Sequence, residues 1–208
     1  MSLDNDSFSI FLDTIKKFVD NKLIPREEEV EQSNTIPEDI VEEMKNIGLF
    51  GISIPTEYGG SNLSMEQEVK LTFELGRASP AFRSIAGTNI GIGAQTIVMS
   101  GTNNQKNKYL PKFAKGEIIG SFALTEPDSG SDAMSIKTTA EKIGNEYIIN
   151  GTKRYITNAP IAGVFSVMAR TKKEKSSSSI SCFLVDSSTP GITIGKPDKK
   201  MGQRGALT

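Results

Sequence analysis

Residues 116–132 read GEIIGSFALTEPDSGSD, and the hydrophobic pattern of the chain changes at this segment. Before it, apolar residues recur at spacings of three and four, which is the pattern of a buried helix face. After Ile118, apolar and polar residues alternate in twos, which is the pattern of half-buried strands. This order predicts an α+β chain, in which an all-helical domain over residues 1–116 precedes an antiparallel β-barrel or β-sandwich domain over residues 117–208.

The helical half contains clear start and stop signals. Ser64 and Gln67 have the spacing of a reciprocal N-terminal cap, and Gly116 can close a helix in the left-handed conformation. The small-sided stretch 87–94 weakens its helix by roughly 1 kcal/mol per glycine, so close packing or a nearby ligand is expected there. The predicted helices are Phe8–Glu29 with a bend near Pro25, one that opens at Pro37 and ends at Gly48, Ser64–Ser79, Phe82–Met99 and Asn104–Lys115.

The second half contains short segments with the composition of strands. Two-residue turns are expected at Gly144-Asn145 and Asn150-Gly151, because such pairs commonly join antiparallel neighbours. The predicted strands are Tyr147–Ile149, Tyr155–Thr157, Val164–Val167 and Ile180–Val185.

The composition excludes some kinds of chemistry. Lys and Arg number 24 against 25 Asp and Glu, so no net field attracts nucleic acid or an anionic membrane. The sequence contains no histidine, which removes the commonest general base and the commonest metal ligand. We therefore expect no metal site, and any chemistry must use other groups or a cofactor.

Cysteine usage and the N-terminus bear on compartment. The single cysteine, Cys182, lies in an apolar run and is predicted to be a buried structural thiol. Residues 1–4 are polar and lack the features of a secretory signal, and no stretch is apolar for 18 residues. We expect a soluble cytoplasmic protein.

The segment 121–132 is rich in small and hydroxylated residues and should form a turn after a strand. Gly130 and Ser131 can offer adjacent backbone N–H groups and a hydroxyl, a donor set that holds phosphate oxygens without a lysine. Taken alone, such a segment is more often a plain turn. The usual nucleotide motifs are absent, since no P-loop occurs and Gly91-Ile92-Gly93 lacks the third glycine of a dinucleotide fingerprint.

A second segment supports a ligand-binding role for this turn. Tyr155 and Thr157 lie two residues apart and, on a strand, would point to the same face. A flat aromatic ring beside a hydroxyl suits one side of a planar heterocycle. Without the first motif, an ordinary sheet surface would be the better interpretation.

Both segments resemble the motifs of the acyl-CoA dehydrogenase family. The matching sequences are LTEPxxGSD at residues 124–132 and NGxKxYITN at residues 150–158. The resemblance covers nearly the whole chain, because it extends to Glu57-Tyr58-Gly59-Gly60, Tyr109-Leu110-Pro111 and Met201-Gly202-x-Arg204-Gly205.

The resemblance implies FAD as cofactor and assigns residues to it. Leu124 and Thr125 would approach the pyrimidine side of the flavin, and Thr157 would hydrogen-bond near the nitrogen that accepts the hydride. Gly130 and Ser131 would meet the pyrophosphate or the phosphate end of CoA, so Ser131 is also a substrate-binding candidate. The full set of cofactor candidates is Phe122, Leu124, Thr125, Gly130, Ser131, Tyr155, Ile156 and Thr157.

Two aromatic positions depart from the family pattern. Tyr155 stands where tryptophan is frequent, which keeps an aromatic ring for stacking. Phe122 stands where some members have tyrosine, so it cannot donate the phenolic hydrogen bond.

The implied reaction is oxidation of an acyl-CoA to a trans-2-enoyl-CoA with hydride transfer to FAD, as in fatty acid metabolism. Family members carry the glutamate base in a later helical bundle, so we assign no catalytic residue here and expect a fragment, inactive alone, whose β domain is incomplete at its C-terminal end. Glu126 is expected to have a structural role.

The implied partners are an acyl-CoA and an electron-transfer flavoprotein or similar acceptor, with a homo-oligomer as the intact assembly and neither nucleic acid nor membrane as a partner. Straight, branched and aromatic acyl groups all stay open. One alternative is a non-catalytic relative that binds flavin or nucleic acid, and another is a scaffold that holds no flavin.

Overall fold

Helices form the N-terminal half of the chain in the computed structural model, which describes residues 3–174 and 176–208. The cap at Ser64 is confirmed: the Gln67 N–H donates to Ser64 Oγ, and the Ser64 N–H donates to Gln67 Oε1. The helices are α1 (Asn5–Phe18), α2 (Glu27–Ser33), α3 (Glu38–Asn46), α4 (Met65–Leu75), α5 (Pro80–Thr88), α6 (Ala94–Ser100) and α7 (Asn103–Ala114).

Helix ends follow the signals in the sequence at Gly48 and Gly116 but not at Ser79. Gly48 and Gly116 take left-handed conformations, with φ of 81° and 68°, after α3 and α7. The helix predicted to reach Ser79 ends at Leu75 instead. Ser79 caps α5, whose first residue is Pro80, and a residue before proline disfavours helical geometry.

Two long predicted helices contain a π-helical turn. Val19–Leu23 follows α1, and a 3-10 turn containing Pro25 then leads into α2, so the predicted bend is confirmed. Asn89–Gly93 joins α5 to α6. Here the backbone packs closely on the first strand, because a Cβ on Gly93 would lie 3.3 Å from Gly120 Cα. Close packing therefore accounts for Gly93, whereas a Cβ on Gly91 in the same small-sided stretch would meet nothing within 4 Å.

The second half is one mixed sheet built around β4. Its strands are β1 (Gly120–Ala123), β2 (Thr139–Ile143), β3 (Glu146–Asn150), β4 (Val164–Arg170) and β5 (Ile180–Asp186). β4 pairs in parallel with β1 and, at Thr139, with β2, and it pairs antiparallel with β5. The expected purely antiparallel architecture is wrong in this respect. The long connection between β1 and β4, which contains the β2–β3 hairpin, lets the chain cross over and return in parallel.

One predicted turn is confirmed and another is wrong. Gly144 and Asn145 join β2 to β3, with Gly144 at a φ of 61°. Asn150 ends β3, and no hairpin follows. Gly151 serves close approach instead, because a Cβ there would lie 2.2 Å from Thr138 Oγ1.

Two apolar clusters form the core. The larger lies within the helices and includes the fully buried Phe50, Leu71 and Phe82. The smaller lies between α6, α7 and the sheet, where Phe113 and Val164 are buried, and it joins the two halves. Burial of one such side chain stabilises the fold by about 1.5–3 kcal/mol.

The exposure of Cys182 and the apolarity of the helices bear on two expectations from the sequence. Cys182 is exposed, so its expected burial is wrong. In the part of the chain that the structure describes, β5 pairs only with β4. Among the described residues, no helix combines the length and the apolarity that crossing a bilayer requires.

Candidate functional site

The first candidate segment leaves β1 at Ala123 and folds back on itself. The Glu126 N–H donates to the Ser129 carbonyl at 2.8 Å, and Ser129 Oγ donates to the Asp132 carbonyl at 2.6 Å. Gly130 and Ser131 lie exposed at the tip of this turn. The nearest atom to a Cβ built on Gly130 is a Thr125 methyl at 3.8 Å, so the surface above it is open.

Glu126 stabilises the base of this turn through hydrogen bonds. Its carboxylate, 5% exposed, accepts hydrogen bonds from the backbone N–H groups of Lys137 and Thr138 and from Lys153 Nζ. Burial alone would raise the pKa of the Glu126 carboxyl, but the donors on Thr138, Lys137 and Lys153 outweigh it and lower the pKa to about 2. Glu126 is therefore a structural carboxylate.

Lys153 ties the turn to the second segment. Its Nζ lies 2.9 Å from Glu126 Oε1 and donates to the Leu124 carbonyl, also at 2.9 Å. Burial lowers the pKa of Lys153, and the neighbouring carboxylate opposes that shift. We describe the pair as ionised, because the donors around Glu126 hold its charge in place.

The second segment is not a strand, so the expectation that Tyr155 and Thr157 share a strand face is wrong. Tyr155 has a φ of 58° and Asn158 a φ of 66°, and neither fits an extended chain. The loop instead buries Ile156, leaves Tyr155 exposed and holds Thr157 partly buried. Pattern alone does not reveal this, because Tyr-Ile-Thr is a good strand sequence.

The two segments nevertheless meet at the end of β1. The Arg154 N–H donates to the Thr125 carbonyl at 2.8 Å. Ser121 Oγ, fully buried in β1, donates to the Thr157 carbonyl at 2.5 Å. The turn and the loop therefore lie side by side, as the sequence interpretation requires.

Three residues at this place were given no role by the sequence motifs. Ser121 gave no signal beyond its position in a strand. Asn158 is buried and donates through Nδ2 to the Ile85 carbonyl. Its place in the sequence motif does not indicate this contact. Thr208 Oγ1 lies 3.5 Å from Thr157 Oγ1, and the resemblance at residues 201–205 was the only hint that this part of the chain returns to the site.

The exposed ring of Tyr155 contacts the side chain of Arg154. The guanidinium carbon of Arg154 lies 4.7 Å from the ring centroid. Arg154 also forms an ion pair with Asp198, at 3.0 Å. The remaining cofactor candidates, Phe122 and Leu124, are half-buried along the path from β1 into the turn.

A helical domain thus precedes a mixed β domain, and two loops of the second domain are joined at the end of β1. The family model for the acyl-CoA dehydrogenase N-terminal domain matches residues 5–117. The family model for the acyl-CoA dehydrogenase middle domain matches residues 121–208. The chain belongs to the acyl-CoA dehydrogenase family.

Named relatives agree with this assignment. Mitochondrial isovaleryl-CoA dehydrogenase of Pongo abelii is 39% identical over 199 residues, which cover 94% of this chain and 47% of the relative. The chain thus spans about half the length of the curated relatives it matches.

Solved structures agree as well. Glutaryl-CoA dehydrogenase of Mycobacterium smegmatis in complex with FADH2 superposes with a TM-score of 0.88 and 34% identity, over 99% of this chain and 51% of that one. A chain from the structural work on the electron transferring flavoprotein of Acidaminococcus fermentans gives a TM-score of 0.91 and 33% identity, over 100% and 54%. FAD, the cofactor expected from the sequence, is the cofactor of the family.

Proposed function

We propose that this chain supplies the flavin-facing domains of an FAD-dependent acyl-CoA dehydrogenase, which oxidises an acyl-CoA to a trans-2-enoyl-CoA. One observation carries the proposal. The segment that carries Gly130 and Ser131 is joined to the loop at Tyr155–Thr157 by the hydrogen bond from the Arg154 N–H to the Thr125 carbonyl. Family membership indicates the chemistry, because FAD held by these residues would serve as the hydride acceptor.

The residues present fit a flavin. Gly130 and Ser131 leave open space and offer donors for phosphate oxygens, with Ser131 also available to the phosphate end of CoA. Tyr155 offers an exposed ring for stacking. Thr125 and Thr157 offer hydroxyls for polar atoms of the ring system.

The other three candidates have supporting roles. Phe122 and Leu124 are half-buried and provide apolar contact beside the ring system. The Ile156 side chain packs inside the protein, so we assign its backbone groups to the cofactor. With FAD bound, these side chains would help to exclude water from the flavin ring system.

Glu126 is not assigned as the base that removes the substrate proton. With a pKa of about 2, this carboxylate is a weak proton acceptor at neutral pH. Its oxygens are also occupied by the donors of Lys137, Thr138 and Lys153. We therefore assign no catalytic residue among the residues of this site.

The proposed partners follow from the family. We assign an acyl-CoA as substrate, an electron-transfer flavoprotein or a similar carrier as acceptor, a homo-oligomer as the assembly and the cytoplasm as the compartment. The near-neutral net charge of −1 gives no support to the nucleic-acid-binding alternative.

A flavin titration tests the proposal. FAD is added to the 208-residue chain and to Thr157→Val, and binding is followed by quenching of flavin fluorescence. Loss of a hydrogen bond should weaken binding of FAD by about five- to tenfold. The matched control is Thr189→Val, because Thr189 is exposed in the turn after β5. A wild-type chain that binds no FAD, or a Thr157→Val variant that binds as well as the control, contradicts the proposal.

A further inference from the structure

Tyr155 combines two features that rarely occur together in an aromatic residue. The residue is 64% exposed, and its backbone has a φ of 58°, in the left-handed region. Bulky residues keep this conformation only where their surroundings enforce it, and such positions concentrate at ligand-binding sites. The neighbours that hold Tyr155 are therefore part of the site.

Arg154 covers one face of this ring. Its guanidinium carbon lies 4.7 Å from the ring centroid, within cation–π range. The Arg154 N–H, bonded to the Thr125 carbonyl, fixes the backbone beneath it. A planar ligand can therefore contact only the opposite face or the edge of the ring.

Asp198 holds Arg154 in this position and connects it to Thr157. The carboxylate pairs with the guanidinium at 3.0 Å, and the Asp198 N–H donates to the Thr208 carbonyl at 2.9 Å. Thr208 Oγ1 in turn lies 3.5 Å from Thr157 Oγ1. Asp198 therefore links the support of the ring to the hydroxyl at the other end of the same loop.

We propose that Arg154 and Asp198 form a bracket that positions the Tyr155 ring as a stacking platform for the flavin. Arg154 acts as a positioning residue and brings a permanent positive charge close to the bound ring system. Asp198 balances this charge in the pair, so loss of Arg154 alone would leave an unpaired carboxylate near the ring system, which would disfavour added electrons and lower the reduction potential. This inference rests on the proposed function.

The pair is suited to a positioning role, because its loss should not unfold the protein. Arg154 is 45% exposed, and exposed ion pairs contribute little to stability. Substitutions here are expected to change the site and to leave the fold intact.

The first experiment needs no flavin. The chain has four tyrosines, so selective ¹³C labelling gives a simple spectrum in which Tyr155→Phe identifies the Tyr155 signal. Arg154→Met and Asp198→Asn should each shift that signal. The control is Arg77→Met, because Arg77 is equally exposed and paired with Asp20 in the helical half. An unchanged Tyr155 signal in Arg154→Met overturns the bracket.

The second experiment follows FAD binding and the reduction potential. Arg154→Met should weaken FAD binding by about three- to tenfold and lower the potential of the bound flavin. Arg154→Lys should recover the potential more fully than the binding, since lysine keeps the charge and loses the planar stacking group.

The outcomes separate the two proposals. If wild-type chain binds FAD and Arg154→Met matches Arg77→Met in affinity and potential, the bracket is wrong and the proposed function stands. If the wild-type chain binds no FAD, both proposals fail. A shifted Tyr155 signal together with weaker binding and a lower potential supports both.

Discussion

At the scale of single residues, Glu126 determines how the two loops of the site are joined. It is buried and accepts from two backbone N–H groups and from Lys153. Removing one partner of a buried pair leaves the other charge uncompensated. The loops therefore depend on this carboxylate more than on any of the exposed ion pairs around it.

Replacing Glu126 should be costly. Glu126→Gln removes the charge that Lys153 faces and should lower the free energy of unfolding by about 3 kcal/mol. Asp128→Asn is the control, because Asp128 pairs with Lys137 on the same turn in an exposed position and should cost at most about 1 kcal/mol. Urea denaturation measures both. Equal losses in the two variants would show that Glu126 does not hold the loops.

The same carboxylate predicts a pH dependence. Its folded pKa of about 2 lies below the ordinary value of 4.5, so its contribution is fully present above about pH 4.5 and is lost as the pH falls towards 2. Between about pH 5 and pH 2, wild type should lose about 3 kcal/mol more stability than Glu126→Gln. Denaturation at several pH values measures this difference, and parallel curves for the two proteins would refute it.

At the scale of elements, the contact between the π-helical turn Asn89–Gly93 and β1 sets where the site lies. Gly120, the first residue of β1, packs under the ring of Phe113 and against Gly93. This contact places the start of the strand against the helical half. The turn that carries Gly130 and Ser131 is then positioned by the strand that leads to it.

Gly120→Ala tests this packing, and Gly91→Ala is its control. A Cβ on Gly120 would lie 2.3 Å from the Phe113 ring, so Gly120→Ala should destabilise by about 1–3 kcal/mol. A Cβ on Gly91 would meet nothing within 4 Å, so Gly91→Ala should stabilise by about 0.5–1 kcal/mol. Thermal unfolding reports both signs. A Gly120→Ala variant as stable as wild type would mean that β1 does not pack against Phe113 of α7.

At the scale of the whole molecule, buried polar groups connect the helical half to the sheet. Asn89 is fully buried, accepts from the Gly120 N–H at 2.7 Å and donates to the Phe113 carbonyl at 3.4 Å. Tyr109 Oη donates to Asp186 at 2.9 Å, which ties α7 to β5. These bonds fix the two halves relative to each other.

Asn89 is the stronger test of this connection. Asn89→Ala leaves the buried Gly120 N–H without a partner and should destabilise by about 2 kcal/mol. Hydrogen exchange at the Gly120 amide should accelerate. Asn107→Ala, at an exposed position on α7, should change stability by no more than about 0.5 kcal/mol. Unchanged exchange at Gly120 in the Asn89 variant would contradict this account.

Much of the helical half could be predicted, because its signals are local. The cap at Ser64, the bend near Pro25 and the helix end at Gly116 each depend on residues within one or two turns. The candidate loops were found by the same kind of evidence, a turn of small residues and a motif of fixed spacing. Their assignment to a cofactor stays a prediction, to be tested at Thr157 and Arg154.

The sequence alone determined the order of helices before strands and the resemblance to the family, because both are carried by residue patterns and motifs that can be read along the chain. The tertiary structure alone decided that β4 runs parallel to β1, that Tyr155 leaves the strand geometry its sequence favours, and that Ser121 and Thr208 reach Thr157. These features depend on contacts between residues far apart in the chain, where packing and buried hydrogen bonds outweigh local preference.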